Sequence, residues 1–201
     1  NTDNTSIVGY GWDIAIPKIT RVNKEGINKL YTQNDFSSSM DGELRFISGQ
    51  SYGARYDSGS MNTYVYDGSK WIVTSKDGVV YTFGTTAASR QDNPVVTTQV
   101  YAWLLDRVED KNGNYMTYTY FKDAGQIYPE KITYTAHPSA PAQYEVSFVR
   151  ESRADTIPSY KSAFSVISNF RIKQISVKAM GAWTRSYDLG YTTGANGVRS
   201  M

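Results

Sequence analysis

The amino-acid sequence predicts an all-β protein, an antiparallel meander of β-hairpins forming curved or stacked sheets. Three observations carry that prediction. Val, Ile and Thr fill 47 of the 201 positions and Tyr, Phe and Trp another 28, whereas Leu occurs five times. Branched and aromatic side chains suit a pleated surface, and Leu suits a helix. An every-other-residue apolar pattern recurs along the chain, broken at short intervals by turn residues, and no segment carries an apolar stripe at helical spacing over three turns.

Taken in order, the first extended run is Ile14 to Val22, and Pro17 inside it predicts an edge strand, because Pro has no N–H to give to a ladder. Thr63 to Tyr66, Lys70 to Ser75 and Val79 to Phe83 follow as strands, separated by Asp67-Gly68-Ser69 and Lys76-Asp77-Gly78. Asp-Gly between extended runs is a strong hairpin signal, since Gly accepts the positive φ that such turns need. Pro94 punctuates the polar stretch Ser89 to Thr98. Tyr101 to Val108 and Tyr115 to Phe121 form the next pair, joined by Asp110-Lys111-Asn112-Gly113-Asn114, with Tyr118 and Tyr120 on one face of the return strand and Thr117 and Thr119 on the other.

Pro129 precedes a strand from Glu130 to Thr135, which pairs with Tyr144 to Val149 across a loop bracketed by Pro138 and Pro141. Phe170 to Lys178 and Thr184 to Tyr191 make the last hairpin, across Ala179 to Trp183. Between these units, Ile157 to Ile167 offers at most a short helical turn. No long linker divides the chain, so residues 1–201 are expected to form one continuous domain. The abrupt start at Asn1 and the uncapped end at Arg199-Ser200-Met201 give the expectation of a fragment of a much longer protein.

Composition also restricts the chemistry. The absence of Cys removes disulfides, Cys-ligated zinc, iron–sulfur clusters and thiol catalysis. At this length a fold buries roughly 70% of its unfolded surface, so no such staple is required. The net charge of +2 comes without a basic cluster, so no nucleic-acid partner is expected. No apolar run approaches the roughly 20 residues that span a bilayer, and no basic start followed by an apolar stretch marks a signal peptide.

Any triad, metal site or acid–base chemistry based on His would have to use His137, which reads as a surface-loop residue. Glu151 and Asp155 could serve as paired carboxylates, but with Arg150 and Arg153 beside or between them they read as an ion-paired turn. Asp110 to Asn114 does not place Gly and Glu where a calcium loop needs them, and a hairpin turn explains the same residues. Alternating Tyr could stack on sugars, though such residues more often line packing surfaces. No cofactor is expected.

Beyond these readings, an ordered set of short motifs resembles one family. Gly9-Tyr10-Gly11-Trp12 and Ile19-Thr20-Arg21 come first, then Trp71, Asp77-Gly78 and Tyr81-x-Phe83-Gly84. Trp103-Leu104-Leu105, Asp110, Gly113-Asn114, Tyr118-x-Tyr120 and Glu151-x-Arg153-x-Asp155 continue in order, and Arg185-x-Tyr187-x-Leu189-x-Tyr191 closes the series. The set resembles SpvB-like proteins, which include the virulence-plasmid B protein and the B subunit of insecticidal toxin complexes. The unit from Asp110 to Tyr120 is similar to a hairpin of Rhs (YD-repeat) proteins. Tyr10 and Asp13 depart from the residues usual in relatives.

The resemblance implies a non-enzymatic structural module of a secreted bacterial toxin, forming part of a β shell that encloses or supports a toxic C-terminal domain. Its implied partners are the rest of the parent chain, that cargo and other toxin-complex subunits, and its implied location is secreted or at the cell surface. The Glu-x-Glu pair of relatives with ADP-ribosyltransferase activity is missing from this sequence, so that activity is not implied. The alternative is a cell-surface module that binds glycan or protein through a Tyr-rich face. Such a wall, isolated in 201 residues, is expected to leave a strand edge bare.

Overall fold

The computed structural model describes residues 5–156 and 158–194, so the expectations attached to Asn1 and to Arg199–Met201 lie outside the described residues. An N-terminal ribbon pairs β1 (Thr5–Ser6) with β2 (Gly9–Tyr10). Then come β3 (Lys18–Arg21), a single 3-10 turn (Ile27–Lys29), β4 (Phe36–Ser38), β5 (Gly42–Ser48), β6 (Ser51–Ala54), β7 (Thr63–Tyr66), β8 (Trp71–Thr74) and β9 (Val80–Phe83). The second half contains β10 (Arg90–Asp92), β11 (Val100–Glu109), β12 (Tyr115–Asp123), β13 (Gln126–Ala136), β14 (Tyr144–Ser152), β15 (Pro158–Ser159), β16 (Val166–Ile167), β17 (Phe170–Ala179) and β18 (Ala182–Asp188). No described helix is long and apolar enough to cross a membrane.

Every pairing is antiparallel, and fourteen of the strands belong to one sheet. Its first part closes on itself. Strands β3 to β9 pair in sequence order, β3 pairs with β11 through Ile19 and Trp103, and β9 pairs back to β11 through Phe83 and Leu105. The result is a closed ring of β3 to β9 plus β11, and closure removes the unpaired edges that an open sheet would expose. A ring of this size is just wide enough for its own side chains to fill it.

Each strand of the ring contributes to that filling: Ile19, Phe36, Leu44, Tyr52, Tyr64, Trp71, Val73, Phe83, Trp103 and Leu105 form one buried cluster. Its rings meet edge-on, as at Phe36–Trp71 (4.9 Å, 79°) and Trp71–Trp103 (6.3 Å, 77°). This arrangement sets the positive rim of one aromatic ring against the negative face of the next.

The second part of the sheet spills out of the barrel. Strand β11 runs on past β3, pairs with β12 at Arg107 to Glu109, and the sheet continues through β13, β14 and β17 to β18 at the open edge. A smaller cluster of Val8, Phe148 and Ile172 packs the N-terminal ribbon onto this sheet. The Ile172 N–H donates to the Ile7 carbonyl at 2.8 Å. Two ties bind the spilled sheet to the barrel: the Tyr120 hydroxyl donates to the Leu105 carbonyl, and Lys122 Nζ reaches Asp92 Oδ1 at 2.7 Å.

Three local expectations are corrected. Strand β3 is interior, with β11 and β4 on its two flanks; Pro17 lies just before it, where no ladder N–H is required, and its carbonyl still accepts from Leu105 N–H. Pro129 stands inside β13, opposite Tyr120 at a register shift, so the bulge absorbs its missing donor. The described part of Ile157 to Ile167 forms no helical turn; β15 and β16 pair there, closed by a turn in which Ala163 N–H donates to the Tyr160 carbonyl. The polar stretch after Ser89 also contains β10, which pairs with β11.

Candidate functional site

The motif residues separate into turns, core positions and ion pairs. Gly9 lies in β2 and Gly11 just after it, both with positive φ (94° and 83°), and Trp12 follows with its ring 74% exposed. Asp77 and Gly78 form the tip of the β8–β9 hairpin, where Gly78 N–H donates to the Ser75 carbonyl at 3.0 Å. Asp110 organises the β11–β12 turn: its Oδ1 accepts from Asn112 and Asn114 N–H at 2.8 and 2.9 Å, and its Oδ2 accepts from Asn114 Nδ2 at 2.8 Å. The Asn114 side chain, with these amides, holds the Asp110 carboxyl below the usual carboxylate range. Gly113 occupies the positive-φ position of that turn, beside the His137 ring.

Trp103 is wholly buried in the barrel, and its indole N–H donates to the Ser69 carbonyl at 2.8 Å. Tyr118 packs against the barrel cluster, while Tyr120 is buried at the junction between barrel and sheet. The alternating tyrosines thus serve packing: Tyr52, Tyr64, Tyr120 and Tyr128 are all buried.

The two carboxylates considered as a catalytic pair each have an arginine partner. Glu151 accepts from Arg171 Nε at 2.7 Å. Asp155 receives a bidentate clasp from Arg153, at 2.9 and 2.8 Å, and the same guanidinium donates to the Ser6 carbonyl at 2.9 Å. The Arg153 side chain is fully buried, so the clasp pins the N-terminal ribbon to the sheet. His137 Nδ1 bonds the Ser139 hydroxyl at 2.7 Å within its own loop. Among the described residues, no group of three or more His, Asp or Glu side chains could hold a metal ion.

Asp106 differs in being buried without a cationic partner in ion-pair contact among the described residues. It is 7% exposed, its Oδ2 accepts from Thr85 N–H at 2.5 Å, and its Oδ1 has no hydrogen-bond partner among the described residues. Burial pushes its carboxyl above the ordinary carboxylate range.

Two surfaces remain available for contact. A cavity of about 540 Å3 lies where the outer wall of the barrel meets the N-terminal ribbon, the start of β13 and the segment around Arg153 to Ser168. At the open end of the sheet, all seven residues of β18 are exposed, among them Trp183 and Tyr187. Lys178 Nζ stands 4.9 Å over the Trp183 ring. Sequence reading did not find the cavity, because it is built from five separate stretches of chain.

Together these features define an all-β module in which a closed barrel anchors an open antiparallel sheet and the motif residues shape turns, core and ion pairs. The family described as "Salmonella virulence plasmid 65kDa B protein" (SpvB) matches residues 50–153, more than half of the chain, and the protein belongs to it. No curated protein sequence matches.

Among solved structures, the N-terminal domain of the effector protein SpvB from Salmonella typhimurium strain LT2 superposes with a TM-score of 0.82 at 16% identity, over 99% of this chain and 88% of that one. The Photorhabdus luminescens Tc holotoxin pore gives 0.80 at 19% identity, over 99% of this chain. The TcdB2–TccC3–Cdc42 complex gives 0.78 at 18%, over 94% of this chain. This chain spans 13% of the matched chain in each of these two Tc structures. At these identities the likeness is one of fold.

Proposed function

We propose that this chain is a non-enzymatic structural module of a secreted bacterial toxin of the SpvB/Rhs type, one domain of a longer protein, and that its sheet is part of a β wall around or beneath a toxic C-terminal polypeptide. The observation that carries this reading is the one-sided sheet. It is sealed at one end into a barrel, and at the other, among the described residues, no strand pairs with the outer edge of β18, an exposed edge suited to receive further strands. The fold shared with chains of Tc toxins, of which this region is a small part, supports the same reading. So does the pairing of Glu151 and Asp155 with arginines, the ion-paired arrangement of a structural turn. The partners on this reading are the remainder of the parent chain, its cargo and other toxin subunits.

The test is protease protection in the full-length natural product. With the wall intact, the C-terminal polypeptide should resist limited proteolysis. With Ser186→Pro, which puts a ring in β18 where a ladder needs N–H groups, it should become cleavable while residues 1–180 stay folded. Unchanged protection in that variant, or no protection in the wild type, refutes the reading.

A further inference from the structure

The inter-layer cavity has the makings of a binding site. Its floor is the outer wall of the barrel, where Thr20, Ala102 and Gln91 stand side by side on β3, β11 and β10. Ala102 is the low point of that floor, a methyl group between two polar side chains. Beside it the ladder is irregular: Gln91 pairs with Ala102 but Asp92 pairs with Val100, so Tyr101 is the extra residue of a bulge. A bulge re-aims a side chain that strict alternation would send to the other face. Alternation would turn Tyr101 toward the barrel interior with Trp103, yet it lines the cavity. The opposite wall is apolar, from Ile7, Ile14 and Ile127.

Polar groups around this space are left open by the rest of the protein. The hydroxyls of Thr20, Tyr101 and Ser168 make no hydrogen bond among the described residues. Gln91 donates its Nε2 to the Gly125 carbonyl at 3.0 Å and Gln126 donates its Nε2 to the Ile127 carbonyl at 3.1 Å, which fixes both amides and leaves both Oε1 atoms as acceptors. Buried and half-buried polar groups are ordinarily paired, so a set of them facing one space marks a place for water or ligand. The buried charges offer nothing to an ion, because Arg153 and Asp155 neutralise each other across 2.8 Å.

We propose that this cavity binds an uncharged polyhydroxylated ligand of one to two sugar rings, seated with its hydroxyls on Thr20, Gln91 and Tyr101 and one apolar ring face against the isoleucines. Each sugar hydroxyl can both donate to a fixed amide oxygen and accept from Thr20 or Tyr101, which matches this mixed set of acceptors and donors. The volume falls within the roughly 300–1,000 Å3 of ordinary small-molecule sites. The exposed Lys18, Ser159 and Lys161 at the rim leave a way in. This site is separate from the β18 edge, so it stands or falls independently of the wall.

The experiment titrates the 201-residue chain with maltose, cellobiose, lactose and N,N′-diacetylchitobiose, read by saturation-transfer NMR and calorimetry. At least one disaccharide should bind saturably. Thr20→Val and Gln91→Met, which keep shape but delete the polar atoms, should each weaken it by about five- to tenfold, the loss of one hydrogen bond. Both variants should keep the wild-type circular dichroism spectrum. No saturable binding by any of the four sugars at about 10 mM, well above the Kd of a weak small-ligand site, overturns the proposal. So does binding that both variants leave unchanged, which would place the sugar elsewhere.

Discussion

Gly84→Ala offers the most direct test of barrel closure. Gly84 follows β9, its N–H donates to the Leu104 carbonyl at 2.9 Å, and its φ is +69°. A Cβ built there falls 2.2 Å from Trp103 Cδ1 and 2.9 Å from Cγ. Two costs follow. A left-handed backbone with a Cβ costs about 1–2 kcal/mol. Relieving the contact requires a shift of more than 1 Å by a wholly buried indole wedged against Phe36, Tyr66 and Trp71, and overpacking of that kind costs about 1–3 kcal/mol.

The expected loss is thus about 2–5 kcal/mol, a large share of a typical domain's stability. Gly113→Ala is the control. Its φ is +83°, but the nearest atom to its added Cβ is 3.5 Å away, so only the backbone cost of about 1–2 kcal/mol should appear. Urea unfolding followed by tryptophan fluorescence measures both. Equal losses in the two variants would refute the placement of Trp103 against the β9–β11 closure. In a cycle with Trp103→Phe, the Gly84→Ala penalty should shrink, since the two sites share one contact.

Other consequences can be checked in the same way. Tyr120→Phe deletes the hydroxyl that donates to the Leu105 carbonyl and should cost about 1–2 kcal/mol in urea unfolding. For Asp106, burial raises the folded-state carboxyl pKa above its unfolded value, so the folded state binds the extra proton and wild-type stability falls as pH rises through the window just above the ordinary carboxylate range. Asp106→Asn should therefore gain stability relative to wild type as pH rises above the ordinary carboxylate range, and a pH-independent difference would contradict this. Asp110 has the opposite sign: its folded-state pKa is depressed, so its contribution is present at neutral pH and lost as pH falls through the folded value. The penalty of Asp110→Ala should be smaller near pH 2 than near pH 7, as measured by thermal unfolding at the two pH values.

The hairpins were legible in the sequence because their signals are local. Asp67-Gly68, Asp77-Gly78 and the turn from Asp110 to Asn114 each announce a reversal within five residues, and the strands on either side alternate. Ring closure was not legible, because it depends on which distant strands meet. The Ile19–Trp103 and Phe83–Leu105 pairings join segments that alternate equally well with any other partner. Ribbon strands β1 and β2 and the short β10 are two or three residues long, below the length at which alternation means anything. For the candidate carboxylates, the Arg153–Asp155 clasp was within reach of sequence, two residues apart. The Glu151–Arg171 pair was not, since it crosses from β14 to β17.

Strand β11 explains how a closed barrel can also be the root of an open sheet. Trp103 pairs with Arg90 on one flank and Ile19 on the other, and Glu109 pairs with Val80 on one flank and Tyr115 on the other. Along its ten residues each flank therefore changes partner, from β10 to β9 on one side and from β3 to β12 on the other. The register shift between Leu105 and Arg107 marks the crossover, and Leu105 fastens it: its side chain fills the barrel, its N–H donates to Pro17, and its carbonyl accepts from Tyr120. The ring uses up the edges of β3 to β9, so among the described residues the sheet ends on the barrel side in the three-residue β10 and on the other side in the seven-residue β18. A sheet rooted in a closed barrel at one end and open along a longer strand at the other has an origin and a direction, which is the geometry the proposed wall requires.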